Sequence, residues 1–377
     1  MPWRPQDVMR TREEFVCLAL QDGANRRELC RRFGVSVATA YKWLDRYAAQ
    51  GRNGLADQSR RPTHSPRTSP NELQSAVVAL RRAHPAWGGR KISRRLSDQG
   101  LGSVAPSTVT AILHRHALIG VAATEASTAW TRFERATPNA LWQADFKGHF
   151  ATAAGRCSPL TVLDDHSRFN VALQACADTG TQPVRAQFEA IFRRYGLPVQ
   201  INFDNGAPWG SPSAPGQITT LGIWLVQLGI RLSHSRPRHP QTNGKDERFH
   251  RSLKAEVLNG VSFEDLEHAQ RAFDRWRHIY NHERPHQALD MATPMTRYAV
   301  SPRAFPATLP PIHYAPDDEV RRVGWCGELR FRGQRYKLSS ALAHHDVAVR
   351  PRANEDGVFD VFFAHHRCLS IDLRTIE

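Results

Sequence analysis

The sequence has 377 residues and a mass of 42.5 kDa, enough for roughly two to four domains. It contains no apolar run of the ~18–20 residues that a membrane helix needs, and its start, MPWRPQDVMRTREE, lacks the apolar core of a signal peptide. The six cysteines are scattered without a CxxC pair, which excludes a disulfide scaffold. The composition therefore fits a cytoplasmic protein of a reducing compartment that does not bind a membrane.

Charge is distributed unevenly along the chain. The net charge is +15 and the isoelectric point is about 10.2. The first 138 residues hold 22 Lys and Arg against 11 Asp and Glu, and so carry most of the excess. A basic N-terminal third favours a polyanionic partner, most simply nucleic acid, over the alternative of a merely solvated basic surface.

The first element in chain order is a helix-turn-helix pattern. In residues 25–50, NRRELCRRFGVSVATAYKWLDRYAAQ, Gly34 interrupts the apolar period and Ser36 is placed to cap a second helix. The pattern predicts a DNA-binding domain over 1–58 whose second helix enters the major groove, the alternative being an ordinary helical hairpin. The side chains expected to face DNA are Ser36, Val37, Thr39 and Lys42.

The helical pattern repeats farther along. A Pro/Ser/Arg-rich linker over 59–70 leads to a second predicted helix-turn-helix over 71–120, in which Ser107 is expected to cap the reading helix. The DNA-contacting residues expected here are Arg90, Ser107 and Thr108. Residues 121–138 are predicted to be a connector. The linker over 59–70 is either a spacer or an extended arm that runs along a phosphate backbone.

Residues 139–300 change to an α/β pattern. LWQADFKGHF (141–150) alternates apolar and polar residues, as a strand does, and two more short strands follow. A helix is predicted over 181–195, a buried strand over 199–206, a helical piece over 217–229 and a strand over 230–234. This order predicts an α/β domain. After a linker over 301–319, alternating runs over 320–377 predict a small all-β domain, barrel or sandwich, whose role composition does not indicate.

Three acids stand out within the α/β part. Asp145 lies mid-strand opposite the apolar residues, Asp204 ends the next long strand, and Glu247 falls on a helix predicted over 244–258. At ~100° per residue, Arg251 and Lys254 share the face of Glu247, whereas Phe249, Leu253 and Val257 form an apolar face. Glu247 is thus expected to face the two aspartates, and the alternative is a surface salt-bridge stripe.

Three carboxylates without a catalytic histidine or cysteine indicate metal chemistry. Hard oxygen ligands select Mg²⁺ or Mn²⁺. Two such ions roughly 3.5–4 Å apart serve in-line phosphoryl transfer, one activating the attacking oxygen and the other stabilising the leaving one. We therefore expect Asp145, Asp204 and Glu247 to hold two Mg²⁺ (or Mn²⁺) ions. Asp164 and Asp165 are read as capping a strand-end turn.

The segments WQADF (142–146), NFDNG (202–206) and HPQTNGKDERFHRSLK (239–254) together resemble the Asp-Asp-Glu core of the integrase/transposase superfamily. YNHERPHQALDMATPMTRY (280–298) also resembles insertion-sequence transposases. The chain as a whole resembles the IS481-type transposases, relatives of the IS3 group and of retroviral integrases. The resemblance implies a ribonuclease-H-like catalytic core over 139–300 with Asp145, Asp204 and Glu247 as catalytic metal ligands, and Lys254 as a DNA contact. Arg251, on the same helix face, is also expected to contact DNA.

The sequence also departs from the family pattern. The spacing between Asp204 and Glu247 exceeds that usual in retroviral and IS3 members, and the Gly/Pro/Ser-rich GAPWGSPSAPGQ (206–217) is expected to loop out beside the site. No His-His-Cys-Cys zinc module precedes the core; the tandem helix-turn-helix stands in its place. Asp246 replaces the apolar or small residue common before the catalytic glutamate.

The resemblance implies a DNA transposase that binds the terminal inverted repeats of its element, cleaves a strand at the element end and joins it to target DNA. Because two ends must be held together, a homodimer or higher multimer is expected. One alternative is a sequence-specific DNA-binding regulator with an inert transposase core. The other is a ribonuclease-H-type nuclease that cuts without joining.

Overall fold

The protein is described by a computed structural model that covers residues 8–58, 69–119, 134–210, 217–234 and 244–375. Most of the predicted linker 59–70, most of the connector 121–138, residues 211–216 of the predicted loop and the HPQTN segment lie outside these ranges. The chain divides into two compact units, residues 1–69 and 70–377.

The first unit is a helical domain. Its helices are α1 (Val8–Ala19), α2 (Arg26–Arg32) and α3 (Val37–Gln50), followed by a 3-10 turn at Gly51–Leu55. The Ser36 side chain accepts a hydrogen bond from the Thr39 N–H, which confirms the predicted cap of α3. Phe15 and Val16 of α1 pack with Cys30, Ala40 and Leu55 in the core, so the hairpin is closed by a helix that lies before it.

The second unit opens with three more helices: α4 (Asn71–Ala83), α5 (Gly89–Asp98) and α6 (Pro106–Arg115). The predicted cap at Ser107 is wrong. Helix α6 begins at Pro106, one residue earlier, because proline has no N–H to satisfy and its fixed φ suits the first helical position. At Gly89, α5 approaches α6 so closely that a Cβ on this residue would lie 2.4 Å from the Thr110 Oγ1 atom.

A mixed sheet forms the middle of the second unit. Its strands are β1 (Trp142–Phe146), β2 (Phe150–Thr152), β3 (Gly155–Asp164), β4 (Asn170–Cys176), β5 (Gln200–Phe203) and β6 (Arg231–His234). The order is β2-β3-β1-β5-β6, with β4 also paired to β3. Strands β1, β5 and β6 are mutually parallel, whereas β1, β3 and β4 form an antiparallel meander. The α/β prediction is confirmed.

Four helices flank this sheet. Helices α7 (Thr181–Tyr195) and α8 (Thr220–Gln227) cover one apolar cluster of the sheet, which includes Trp142 and Phe188. Helices α9 (Gly244–Leu253) and α10 (Leu266–His282) belong to another, in which Phe249 and Leu253 pack with Phe273 and Trp276. The last turns of the predicted 244–258 helix are π-helical, at Lys254–Leu258.

The C-terminal residues are all-β, as predicted. They form a four-stranded antiparallel sheet in the order β12-β11-β10-β7 and a separate hairpin of β8 and β9. The strand bounds are β7 Glu319–Arg322, β8 Glu328–Phe331, β9 Gln334–Lys337, β10 Asp346–Pro351, β11 Val358–Phe363 and β12 His366–Asp372. Ile223 and Val226 of α8 share one apolar cluster with these strands, so the β part is packed onto the α8 side of the core.

Among the helices that the structure describes, none is both long and apolar enough to cross a bilayer.

The shared apolar cluster predicts that the C-terminal β part cannot be removed cleanly. Deleting residues 319–377 would expose Ile223 and Val226, each worth roughly 1.5–3 kcal/mol of burial, so we expect a marked loss of soluble, cooperatively melting protein. Deleting residues 1–69, a separate unit, is the matched control and should leave the melting of the remainder nearly unchanged. Equal melting temperatures for the 319–377 deletion and the full chain would contradict the shared core.

Candidate active site

Two of the three predicted acids are neighbours because of strand pairing. Strands β1 and β5 are adjacent and parallel, with Trp142 opposite Ile201 and Gln143 opposite Asn202. Continuing that register places Asp145 opposite Asp204, the residue that follows β5. Adjacent strands lie about 4.8 Å apart. The sheet therefore holds two carboxylates side by side at the carboxyl ends of two parallel strands.

The pKa of Asp145 also indicates that Asp204 lies close to it. The pKa of Asp145 is raised from its ordinary 3.8 to about 6, first by burial and second by the negative charge of Asp204. A hydrogen bond from the Phe146 N–H opposes this shift only in part. An acid whose pKa is raised by a second acid is a site that gains from a nearby cation.

Asp204 is oriented by the turn that it opens. Its Oδ1 accepts a hydrogen bond from the Gly206 N–H at 3.0 Å. A Cβ at position 206 would lie 3.2 Å from the other carboxylate oxygen. Glycine thus leaves room for the Asp204 carboxylate to stand beside the turn.

Helix α9 is attached to β1 and β3 by polar contacts near Asp145. The His250 Nε2 atom lies 2.9 Å from the Thr161 Oγ1 atom, and that hydroxyl donates to the Asp145 carbonyl at 2.9 Å. Burial, and then the charge of Lys147, lower the pKa of His250 to about 4, so its ring is neutral at pH 7. One turn earlier, the Lys245 ammonium pairs with the buried Asp165 carboxylate.

The predicted faces of α9 are confirmed. Phe249 and Leu253 are buried, whereas Glu247, Arg251 and Lys254 are exposed. No ion pair joins these three charged side chains within the described residues, so the salt-bridge alternative does not account for the stripe.

Asp246 is the unexpected residue of α9. It is 2% exposed, and its Oδ1 has no hydrogen-bond partner among the described residues. Burial raises its pKa well above the ordinary value, and Asp145 and Asp165 raise it further. The start of α9 therefore lies within electrostatic range of Asp145, and Glu247 is the next residue along the helix.

The three acids do not form a closed cluster in this conformation. Within the described ranges, no three Asp, Glu, His or Cys side chains are close enough together to hold a metal ion. The structure pairs Asp145 with Asp204 and presents Glu247 at the exposed surface of the adjacent helix. Asp145 and Asp204 offer two neighbouring carboxylates that repel each other. Such a pair of hard oxygen ligands suits a hard divalent cation.

Asp164 and Asp165 have the structural role that was read from the sequence. Asp164 accepts hydrogen bonds from the Asn139 N–H and from the N–H and hydroxyl of Ser167. Asp165 accepts from the Arg135 N–H as well as from Lys245. Both carboxylates are buried and engaged, so they anchor the strand-end turn and α9.

The π-helical end of α9 rests on a buried ion pair that the sequence did not reveal. Glu256 lies 2.9 Å from the Arg284 Nη2 atom, with both side chains under 10% exposed, and accepts a hydrogen bond from the Trp276 indole. The Arg284 guanidinium is occupied by Glu256 and Ser252, and both Arg284 and His286 are buried, so these two residues pack within the fold.

The second helical domain is attached to the same region. The Arg95 Nη2 atom lies 2.5 Å from a Glu283 carboxylate oxygen, and Ile279 of α10 packs into the apolar cluster of α4–α6. Lys91 lies near Glu256 and Arg284, and burial followed by the charge of Arg284 lowers its pKa to about 8. Helix α5 is thus fixed to α10 and lies near the π-helical segment that follows α9.

The predicted DNA-facing residues of α3 divide into two groups. Val37 and Lys42 are exposed and available. The Ser36 and Thr39 hydroxyls lie 2.8 Å apart and complete the helix cap, so they are engaged with each other. Tyr41, 46% exposed on the same face as Val37, was not anticipated, although its i, i+4 spacing from Val37 is a signal that the sequence contained.

In the second helical domain, Arg90 and Ser107 are exposed and Thr108 is half-buried. Arg90 lies on a groove of about 390 Å³ between α5 and the turn at Asp290 and Met291, and Ser93, Arg94, Ser97, Ser103 and Pro106 also line it. This groove is basic and hydroxyl-rich on its α5 side.

Family models match all three parts of the chain. A helix-turn-helix domain matches residues 11–63, and a homeodomain-like domain matches 39–113. Two integrase core models match 135–240 and 228–294. The C-terminal domain of the IS481 transposase family matches residues 318–377.

Curated relatives agree with these matches. The chain is 28% identical over 167 residues to a protein of insertion element IS407 from Burkholderia multivorans, and 30% identical over 158 residues to one of IS476 from Xanthomonas euvesicatoria. These alignments cover 44% and 42% of this chain, but only 57% and 43% of the relatives. The Pol polyprotein of feline endogenous virus ECE1 is 32% identical over 34% of the chain and 11% of its own length.

Among solved structures, a chain of the simian T-cell lymphotropic virus intasome in complex with a PP2A regulatory subunit aligns with 79% of this chain and 96% of its own, at 16% identity and a TM-score of 0.40. The family models and the curated relatives confirm the resemblance seen in the sequence. The chain carries helix-turn-helix domains, an integrase core and the C-terminal domain of the IS481 family of transposases.

Proposed function

We propose that this protein is a DNA transposase in which Asp145, Asp204 and Glu247 hold two Mg²⁺ or Mn²⁺ ions. The observation that carries the proposal is the pairing of Asp145 with Asp204 at the ends of β1 and β5, where burial and then the charge of Asp204 raise the pKa of Asp145. Glu247 would complete the site from α9, which is anchored beside Asp145 through His250 and Thr161. Cations held there supply an activated water and a stabilised leaving oxygen.

The chain itself supplies position and charge. The neutral His250 ring and the Thr161 hydroxyl fix the backbone of Asp145 against α9. Lys147 and Lys254 lie close enough for the Lys254 charge to lower the pKa of Lys147 (after burial, the larger cause), and together they would attract a DNA phosphate.

The reaction proceeds in two displacements. Water attacks a phosphodiester at the element end and releases a 3′-hydroxyl opposite a 5′-phosphate. That hydroxyl then attacks a phosphodiester of target DNA and displaces a target 3′-hydroxyl, so no covalent protein–DNA intermediate is needed. The helix-turn-helix domains would bind the terminal inverted repeats, and at least a dimer would hold two ends together.

Conservative variants test the three carboxylates. Asp145→Asn, Asp204→Asn and Glu247→Gln should each abolish Mg²⁺-dependent cleavage of an element end, because each removes one anionic ligand, while end binding in gel shifts stays within about twofold. Glu267→Gln, an exposed acid on α10, is the matched control and should cleave normally. Undiminished cleavage by any one variant would remove that residue from the site, and end binding with no strand transfer into plasmid by the wild type would favour the regulator.

The raised pKa of Asp145 predicts a stability effect that opposes the catalytic one. Its folded-state pKa of about 6 lies above its ordinary 3.8, so at pH 7 the ionised carboxylate destabilises the metal-free fold, and protonation relieves this. Asp145→Asn should therefore stabilise the metal-free protein by about 1–2 kcal/mol, allowing for solvent screening, and raise its Tm by a few degrees.

The same variant should lose its response to metal. Mg²⁺ or Mn²⁺ should raise the Tm of the wild type at pH 7.5, less so as the pH falls through about 6, and should not raise that of Asp145→Asn. Asp274→Asn, at an exposed position on α10, serves as the control. A lower Tm for metal-free Asp145→Asn, or an unchanged metal response, would contradict the paired-carboxylate site.

Lys254 is predicted to contact a phosphate rather than an acidic side chain. Lys254→Ala should weaken DNA binding and reduce the slope of log K against log salt by about 1, because one fewer counterion is released. Arg271→Ala, at a residue already paired with Glu267, is the control and should keep the wild-type slope. The measurement is fluorescence anisotropy over a salt series, and an unchanged slope for Lys254→Ala would show that the ammonium does not reach DNA.

A further inference from the structure

The β8–β9 hairpin carries an unusual pair of like charges. Its tight turn, Arg332-Gly333, has positive φ at both residues, and its ladder places Arg330 directly opposite Arg335. Both side chains are exposed, and neither makes an ion pair within the part of the chain that the structure describes. Like charges facing each other across a ladder repel, so this position gains from an anion that bridges them.

The rest of that face is also basic. Lys337 lies two residues along β9 from Arg335, on the same face and opposite the half-buried Glu328, and Arg332 lies at the tip. Glu319 approaches Arg332 only at 3.9 Å. Between Glu328 and Lys337 the hairpin therefore presents four cationic side chains and one carboxylate, whereas its other face buries Leu329 and Phe331.

The turn that leads into β8 carries the most exposed large apolar side chain of the described residues, Trp325, which is 81% exposed. The turn is fixed by backbone hydrogen bonds, from the Gly324 N–H to the Glu328 carbonyl at 2.8 Å and from the Leu338 N–H to the Gly327 carbonyl at 3.0 Å. The Lys337 ammonium binds the Cys326 carbonyl, which joins the turn to the basic face.

The hairpin and its turn are held firmly on the catalytic unit. The Ser339 hydroxyl, just after β9, donates to the Ile218 carbonyl ahead of α8 at 2.7 Å. Leu329 and Phe331 belong to the same apolar cluster as Ile223. A ligand bound on this face would thus be held at a fixed position relative to the strands that carry Asp145 and Asp204.

The combination of an indole and an arginine pair favours one ligand chemistry. Arginines bind phosphates bidentately, and a planar aromatic ring binds the face of a base. Bases inside a duplex offer their edges to a protein, whereas unpaired bases offer their faces. We propose, resting on the transposase function above, that this surface binds an unpaired DNA strand: Trp325 stacks on a base, and Arg330 and Arg335 hold a neighbouring phosphate.

The test uses the full chain without divalent metal, so that no strand is cut. The probe is a 12-nucleotide single strand of non-self-complementary sequence with a central 2-aminopurine, whose fluorescence is quenched by stacking. Wild-type protein should bind and quench it. Trp325→Ala should abolish most of the quenching and weaken binding roughly tenfold, and Trp325→Phe should restore most of both, as expected for stacking worth about 1–3 kcal/mol per base.

The arginine pair has a separate readout. Arg330→Ala and Arg335→Ala should each reduce the slope of log K against log salt for strand binding, by up to about 0.7 per lost phosphate contact. Arg374→Ala, a substitution with the same charge change at a residue paired with Asp372, is the matched control and should bind as the wild type does. Duplex binding by the helix-turn-helix domains, measured in parallel, should be the same for all variants.

Two results would overturn the proposal. One is that Trp325→Ala binds the single strand and quenches its 2-aminopurine as strongly as the wild type does. The other is a fall in oligomeric state for Trp325→Ala in sedimentation with strand affinity unchanged, which would make Trp325 a contact between copies of the chain. Because these measurements involve no cleavage, failure of the Asp145, Asp204 and Glu247 assignment would leave them unaffected and would be recognised separately.

Discussion

The repulsion between Asp145 and Asp204 is the constraint on which the account of this protein depends. Parallel pairing of β1 with β5 brings the two carboxylates together, and the partial burial of Asp145 limits the water that would screen it from Asp204. A fold built for stability alone would place an apolar or amide residue at one of the two positions. Retaining both acids makes sense where a divalent cation completes the site.

The surroundings of the pair are organised to hold α9 in place. Its first turn is attached by Lys245 and Asp165, its middle by His250 and Thr161, and its end by the buried pair of Glu256 with Arg284. That last pair lies where the second helix-turn-helix domain packs on α10. Since α5 and the β8–β9 hairpin are both packed against the integrase core, DNA held by either would have a defined position relative to Asp145 and Asp204.

Much of this could be predicted from sequence because it depends on local periodicity. The two faces of α9, the cap at Ser36 and the existence of the strands that carry Asp145 and Asp204 all follow from spacing. The features that the sequence did not predict depend on contacts between residues distant in the chain, or lie in segments without a recognisable apolar pattern. Edge strand β7 shows no apolar alternation because Val320, Arg321 and Arg322 are all exposed, and the burial of Asp246 follows from how α9 packs against β1.

The most direct test of the central claim is anomalous diffraction from crystals of the full chain soaked in Mn²⁺ at pH 7.5. The account predicts a manganese peak within coordination distance of both the Asp145 and Asp204 carboxylates, with Glu247 turned toward it. Manganese bound elsewhere, or well-ordered Asp145 and Asp204 side chains pointing apart with no peak between them, would contradict it.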